Sequence, residues 1–141
     1  VIIMQPFPAG AVPMGINKVG NQFADRFIWM TLSNWTERAG FPGTVYTTTG
    51  LVVPAGTYNI GGLITYTVLE RQRNLRVYRN STLVWDLPGT GTYVTSLPIS
   101  GAALNNVVCS AGDVISVQAS NNNGGDTVAG GVNTYLTATP V

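Results

Sequence analysis

Histidine is absent from the sequence, and cysteine occurs once, at Cys109. The first absence removes His-based triads, most zinc sites and the usual general base near neutral pH. The second rules out an internal disulfide, so the fold is expected to stand without oxidation. Charge is scarce as well, with 9% of residues Asp, Glu, Lys or Arg and a net charge of +1. So few cations cannot neutralise a phosphate backbone, which argues against nucleic acid as a partner. No run approaches the ~20 apolar residues of a membrane-spanning helix, and no membrane partner is expected. The opening Val1-Ile2-Ile3-Met4-Gln5-Pro6-Phe7-Pro8 has no basic leader and is broken by prolines, unlike a secretory signal.

The six carboxylates, Asp25, Glu37, Glu70, Asp86, Asp113 and Asp126, are scattered along the chain. Paired acid–base chemistry therefore has no local signature. No catalytic residue is expected, and the chain reads as a non-enzyme without cofactor or metal. The loop Asn121-Asn122-Asn123-Gly124-Gly125-Asp126 offers oxygen ligands, but its spacing is not that of an EF-hand and it reads as a turn. Cys109 sits in the apolar run Val107-Val108-Cys109, the place of a small buried hydrophobe.

What is present is apolar: 45% of a 141-residue chain, enough to bury the core of one domain. Residues 1–22 carry Pro6, Pro8 and Pro13 at a spacing that suits neither a helix nor a central strand. The same segment is too greasy for a solvated linker. An extended N-terminal arm reconciles the two, with Ile2, Ile3, Met4, Phe7, Val12 and Met14 seated on neighbouring subunits. The domain proper is expected over 23–141.

From Asp25 to Leu32 both parities are apolar, which predicts a strand covered on both faces, one of them by another subunit or by the arm, with a helix through Phe23, Phe27 and Met30 as the competing reading. The clearest strand runs from Thr57 to Leu69, with Tyr58, Ile60, Ile64, Tyr66 and Val68 on one parity. Gly61-Gly62 marks a bulge or a close backbone approach within it. Further short strands are expected at 45–47, 51–53, 75–78, 83–87, 93–99, 114–119 and 132–137, punctuated by Gly, Pro and Asn. About eight to ten such strands without alternating helices predict an all-β antiparallel sandwich. Arg71, Arg73, Arg76 and Arg79 place four of seven basic residues in one short stretch, a candidate basic patch for an acidic partner. Trp35, Trp85, Tyr93 and Phe41 suit core or interface packing.

Two stretches resemble the tumour-necrosis-factor and complement globular-head superfamily. One is Tyr46-Thr47-Thr48-Thr49-Gly50-Leu51-Val52-Val53-Pro54-Ala55-Gly56-Thr57-Tyr58, with the pattern of Gly, short apolar strand, Pro, then Gly-x-Tyr opening the next strand. The other is Ala111-Gly112-Asp113-Val114-Ile115-Ser116-Val117, a Gly-Asp-x-Val turn into a late strand. Arg76-Val77-Tyr78-Arg79-Asn80-Ser81 is similar to a strand ending in an Asn-Gly hairpin, with Ser in place of Gly. The resemblance spans about residues 40–141. It implies a jelly-roll that works as a homotrimer, and Tyr58, Tyr66 and Tyr135, together with Phe27 and Trp29 from the doubly apolar 25–32 stretch that the resemblance does not reach, are the candidate trimer-interface residues. The same head occurs in bacteriophage and viral structural proteins, which this Thr-, Asn- and Gly-rich composition is closer to. The expectation is a trimeric capsid decoration (cement) protein on the virion surface, its partner the major capsid protein. The alternative is a receptor-binding head of a tail fibre or spike, binding host glycan or protein.

Overall fold

A computed structural model describes residues 12–69, 72–90 and 94–141. Two antiparallel sheets are stacked in it. One has the order β10 (Ser96–Ile99), β7 (Gly56–Thr65), β14 (Gly131–Pro140), β1 (Met14–Lys18) and β4 (Trp35–Glu37). β11 (Val107–Cys109) continues the β10 side of β7, pairing Val107 with Tyr58. The other sheet has the order β5 (Val45–Thr47), β6 (Gly50–Val53), β12 (Asp113–Asn121), β8 (Arg73–Arg79) and β9 (Thr82–Thr90), with β3 (Met30–Thr31) added to β12. A third ladder joins β2 (Gln22–Ala24) to β13 (Asp126–Val128). The fold is the all-β antiparallel sandwich that the strand spacing predicts, in the jelly-roll form that the resemblance implies.

Period-two alternation decides which side chains meet between the sheets. In β7, Tyr58, Ile60 and Ile64 are buried while Asn59 is exposed; in β14, Leu136 and Ala138 are buried beside half-exposed Tyr135 and Thr137. Across the gap stand Leu51, Val53, Leu75, Val77, Ile115 and Val117. Each large aliphatic side chain so buried contributes about 1.5–3 kcal/mol. Trp35 fills one corner, its indole Nε1 donating to the Leu32 carbonyl at 3.1 Å.

The Gly50-to-Tyr58 motif acquires a physical reason. Tyr58 lies in the core at 0% exposure, and its hydroxyl donates back to the Pro54 carbonyl at 2.8 Å, pinning the β6–β7 turn. In the second motif, Asp113 accepts from the Ser110 amide at 2.8 Å and from the Asn80 side chain at 2.9 Å. Those hydrogen bonds to the ionised form hold its carboxyl below the usual carboxylate range. Asn80 stands at φ 53, the left-handed conformation that a tight hairpin asks of its Asn.

Two expectations need correction. Met14 is no arm residue: it opens β1, is 1% exposed and packs in the core, because β1 pairs with both β14 and β4 of its own chain. Sheet structure thus begins well inside the segment read as an arm. The stretch 25–32 is not a double-faced strand. Only Met30–Thr31 joins a ladder, Phe27 turns at φ 59, and Phe27 and Ile28 are 63% and 52% exposed. Of the two readings of Gly61-Gly62, close backbone approach rather than a bulge holds, since β7 pairs with β14 in unbroken register from Tyr58 to Leu63. The glycines serve close approach, for a Cβ on Gly62 would lie 2.3 Å from the Tyr135 carbonyl oxygen.

Cys109 is buried, and burial raises its thiol pKa, with Asp113 adding to the effect. The native chain is therefore expected to resist maleimide, and one thiol per chain to react after unfolding in guanidinium. Mass spectrometry of labelled protein checks this; fast labelling of the native state would contradict it.

Candidate interaction surfaces

The outward face of the β10-β7-β14-β1-β4 sheet carries few charges. One row crosses it through Pro98, Leu63, Tyr135, Asn17 and Thr36, residues paired strand to strand. The next row holds small residues, Gly61, Thr137 and Gly15, with the Phe41 ring against Gly15. Arg38 lies over the Tyr135 ring at 3.9 Å. Its Nη1 donates to Asn17 Oδ1 and to the Val132 carbonyl, each at 2.7 Å, which fixes the guanidinium as a lid on the tyrosine.

The five aromatic residues expected at a trimer interface do not come together. Tyr135 is on the face just described. Tyr58 and Tyr66 belong to the core, at 0% and 3% exposure, because their parity in the β7 segment points inward. Phe27 and Trp29 are on the opposite side of the sandwich. The amide of Phe27 donates to the Asn121 carbonyl at the end of β12, and Trp29 stacks on Arg76 of β8 at 4.0 Å. Phe23, at 58% exposure, adds a further apolar group to the loop side of the molecule.

The expected basic patch is not assembled either. β8 alternates, so Arg73 points inward and Arg76 outward. Arg73 is 0% exposed; its Nε donates to Asp126 Oδ2 at 2.9 Å and its Nη2 to Asp126 Oδ1 at 3.2 Å. Nη1 reaches the Val94 carbonyl at 2.6 Å and Nη2 the Val68 carbonyl, while the guanidinium covers the Tyr66 ring at 3.9 Å. Arg76 pairs with Asp86 at 3.3 Å in a half-exposed bridge, and Arg79 donates to the Val108 carbonyl at 2.6 Å. Arg71 lies outside the described residues.

The Asn121–Asp126 loop is committed to the protein itself. Its one carboxylate faces Arg73, and Asn121 Oδ1 accepts from the amides of Asn123 and Gly124 at 3.1 and 2.5 Å. Among the described residues no three His, Cys, Asp or Glu side chains cluster to hold a metal, and no helix is long and apolar enough to cross a membrane. Of the remaining described carboxylates, Asp113 is held in its turn, Asp86 on Arg76 and Asp25 on the Arg26 amide at 2.7 Å, while Glu37 is exposed on β4.

Of the arm residues, Ile2, Ile3, Met4 and Phe7 lie outside the described residues. Val12, 41% exposed, borders an apolar depression of about 460 Å3 with Pro42, Val45, Val52 and Pro54. Tyr46, exposed on the edge strand β5, was not singled out in the sequence. Its neighbours on that corner arrive from distant segments, so no local spacing marks it.

The sequence matches no family model and no curated protein. Similar solved structures exist. The Eiger TNF from S. frugiperda superposes with a TM-score of 0.62 at 12% identity, covering 92% of each chain. The PRD1 vertex protein P5 superposes with a TM-score of 0.60 at 15% identity, covering 92% of this chain and 72% of that one. The chain has the jelly-roll fold of the tumour-necrosis-factor-like heads, a fold that a phage vertex protein shares.

Proposed function

We propose that the chain is a structural protein of a phage virion, assembled as a homotrimer and attached to the capsid shell as a decoration protein. The observation that carries this reading is the shared fold with the PRD1 vertex protein over 92% of the chain. The Tyr135 face supports the assembly. It offers aromatic and aliphatic contact area with one lidded cation, and such a face closes readily around a threefold axis. The arm is the capsid-facing element in this reading. Three linked arms gain from effective concentration even where one alone binds weakly. The role is structural rather than catalytic, in keeping with the absence of histidine and the engaged carboxylates.

Light scattering on the purified chain is expected to give three times its 14.9 kDa mass. Tyr135→Asp places a charge in the interface and is expected to yield folded monomer, whereas a wild-type monomer at micromolar concentration would end the trimer reading. Attachment is tested by deleting residues 1–11, which spares β1. The truncated chain is expected to remain trimeric and to lose binding to capsid shells stripped of it. Undiminished shell binding would remove the arm from the proposal, and adsorption to host cells instead of shells would favour the receptor-binding head.

A further inference from the structure

Two depressions meet at the β5–β6 turn, and their linings share one chemistry. The larger, about 620 Å3, is at the corner where β4 approaches β5, between Val19, Asn34, Trp35, Tyr46, Thr47 and Thr48. The smaller, about 440 Å3, is on the outward face of the second sheet, where β12 runs between β3 and β6. Thr31, Tyr78, Ser81, Ser116 and Gln118 border it, and Thr49 joins it to the first. Both volumes fall within the ~300–1,000 Å3 of ordinary ligand sites.

Among the described residues no side chain lining either depression is charged. The polar groups are hydroxyls, phenols and carboxamides, each able to donate as well as accept. Among the described residues, the Asn34 carboxamide, the Tyr78 phenol and the Ser81 and Ser116 hydroxyls take no hydrogen bond from the protein. Asn34 is nonetheless rigid in its backbone. It stands at φ 65, its amide donates to the Thr48 carbonyl at 2.9 Å, and its carbonyl accepts from the Val19 amide at 2.7 Å. Tyr46, 41% exposed on an edge strand, supplies an aromatic surface at one end. Tyr78 supplies the second ring.

We propose that this surface binds a neutral oligosaccharide, whose chain crosses the Thr47–Thr49 turn from one depression to the other. Vicinal sugar hydroxyls need partners that both donate and accept, and the C–H face of a pyranose packs on an aromatic ring. An anionic glycan or a phosphate would find no cation among the described lining residues, and Arg76, cross-strand from Gln118, is already engaged by Asp86 and the Trp29 ring. The inference does not rest on the trimer. The smaller depression is on the sheet opposite the Tyr135 face, and the larger lies at the corner where β4, the edge strand of the Tyr135 sheet, meets β5.

The test applies the intact chain to an array of neutral oligosaccharides beside their sialylated and sulfated counterparts, with calorimetric titration of the strongest neutral binder. Binding is expected for neutral members only, and unchanged by added salt. Loss of one aromatic platform in Tyr46→Ala is expected to weaken it about tenfold, and loss of one carboxamide in Gln118→Ala about fivefold. Tyr46→Phe keeps the ring and should stay within about twofold. Both side chains reach the surface, so the variants should melt with the wild type. Silence on every neutral oligosaccharide, binding to charged members that fades with salt, or full binding by both alanine variants would each overturn the proposal.

Discussion

Asp126→Ala is expected to destabilise the chain by about 3–5 kcal/mol, the cost typical of breaking a buried ion pair from one side. The carboxylate is 0% exposed and takes two hydrogen bonds from an equally buried Arg73. Removing it leaves a desolvated guanidinium without the anion that its Nε and Nη2 were aimed at. Arg73→Met together with Asp126→Leu removes both charges and should cost less than Asp126→Ala alone, since an apolar pair of similar volume carries no desolvation penalty. The neighbouring phenol provides a control. Tyr66 Oη is buried and has no hydrogen-bond partner among the described residues, and burial drives its pKa up. Tyr66→Phe therefore discards a group that gains nothing from the fold, and stability should hold or rise. Urea unfolding of the four proteins reads the order directly through their midpoints. If Asp126→Ala unfolds with the wild type, the pair does not hold this end of the sandwich together.

The same residues show where sequence reading stops. Four arginines in one stretch look like a patch, and alternation along β8 already implies that Arg73 and Arg76 face opposite ways. What the chain could not reveal is that an inward arginine has a partner: Asp126 is 53 residues distant and arrives through the β13 ladder. Parity carried more than was taken from it for the tyrosines. Tyr58 and Tyr66 share their parity with Ile60 and Ile64, which places them in the core, whereas Tyr135 alternates with Leu136 and Ala138 and turns out. The long strands were legible because each has one wet face and one dry face. Short strands at 45–47 and 51–53 were legible as apolar runs between turn residues, whereas Met14–Lys18, Trp35–Glu37 and Asp126–Val128 have no such run and their pairing is set by partners far along the chain. The loop over 25–32 misled for a related reason: its exposed Phe27 and Ile28 carry the apolar signature of a core without occupying one. The oxygen-rich loop before Asp126 is a turn, as expected, but one stitched by Asn121 rather than loose.

Gly50→Ala should be the most damaging single-methyl change in the chain, because the added carbon has nowhere to go. A Cβ at this position would lie 2.0 Å from the Ile115 carbonyl oxygen and 2.9 Å from its carbon. Both are backbone atoms of β12, the strand that pairs with β6 through Ile115 and Leu51. A flexible side chain could swing aside; a ladder strand held by β8 on its far edge cannot move without breaking hydrogen bonds there. Leu51, Val53, Ile115 and Val117 sit in the core immediately behind the crossing, so separating the strands also loosens the best-packed layer. Strain of this kind belongs with overpacking, whose typical cost is about 1–3 kcal/mol and more where the backbone must shift. The expected loss is about 3 kcal/mol or above on that basis. The control is Gly112→Ala, where no atom lies within 4 Å of the added Cβ and only the positive φ of 86° opposes it. That change should cost about 1 kcal/mol, from the left-handed conformation alone. Thermal melting of the two variants separates steric crowding from backbone preference. Equal shifts in the two would mean that β6 and β12 approach less closely than their paired register requires.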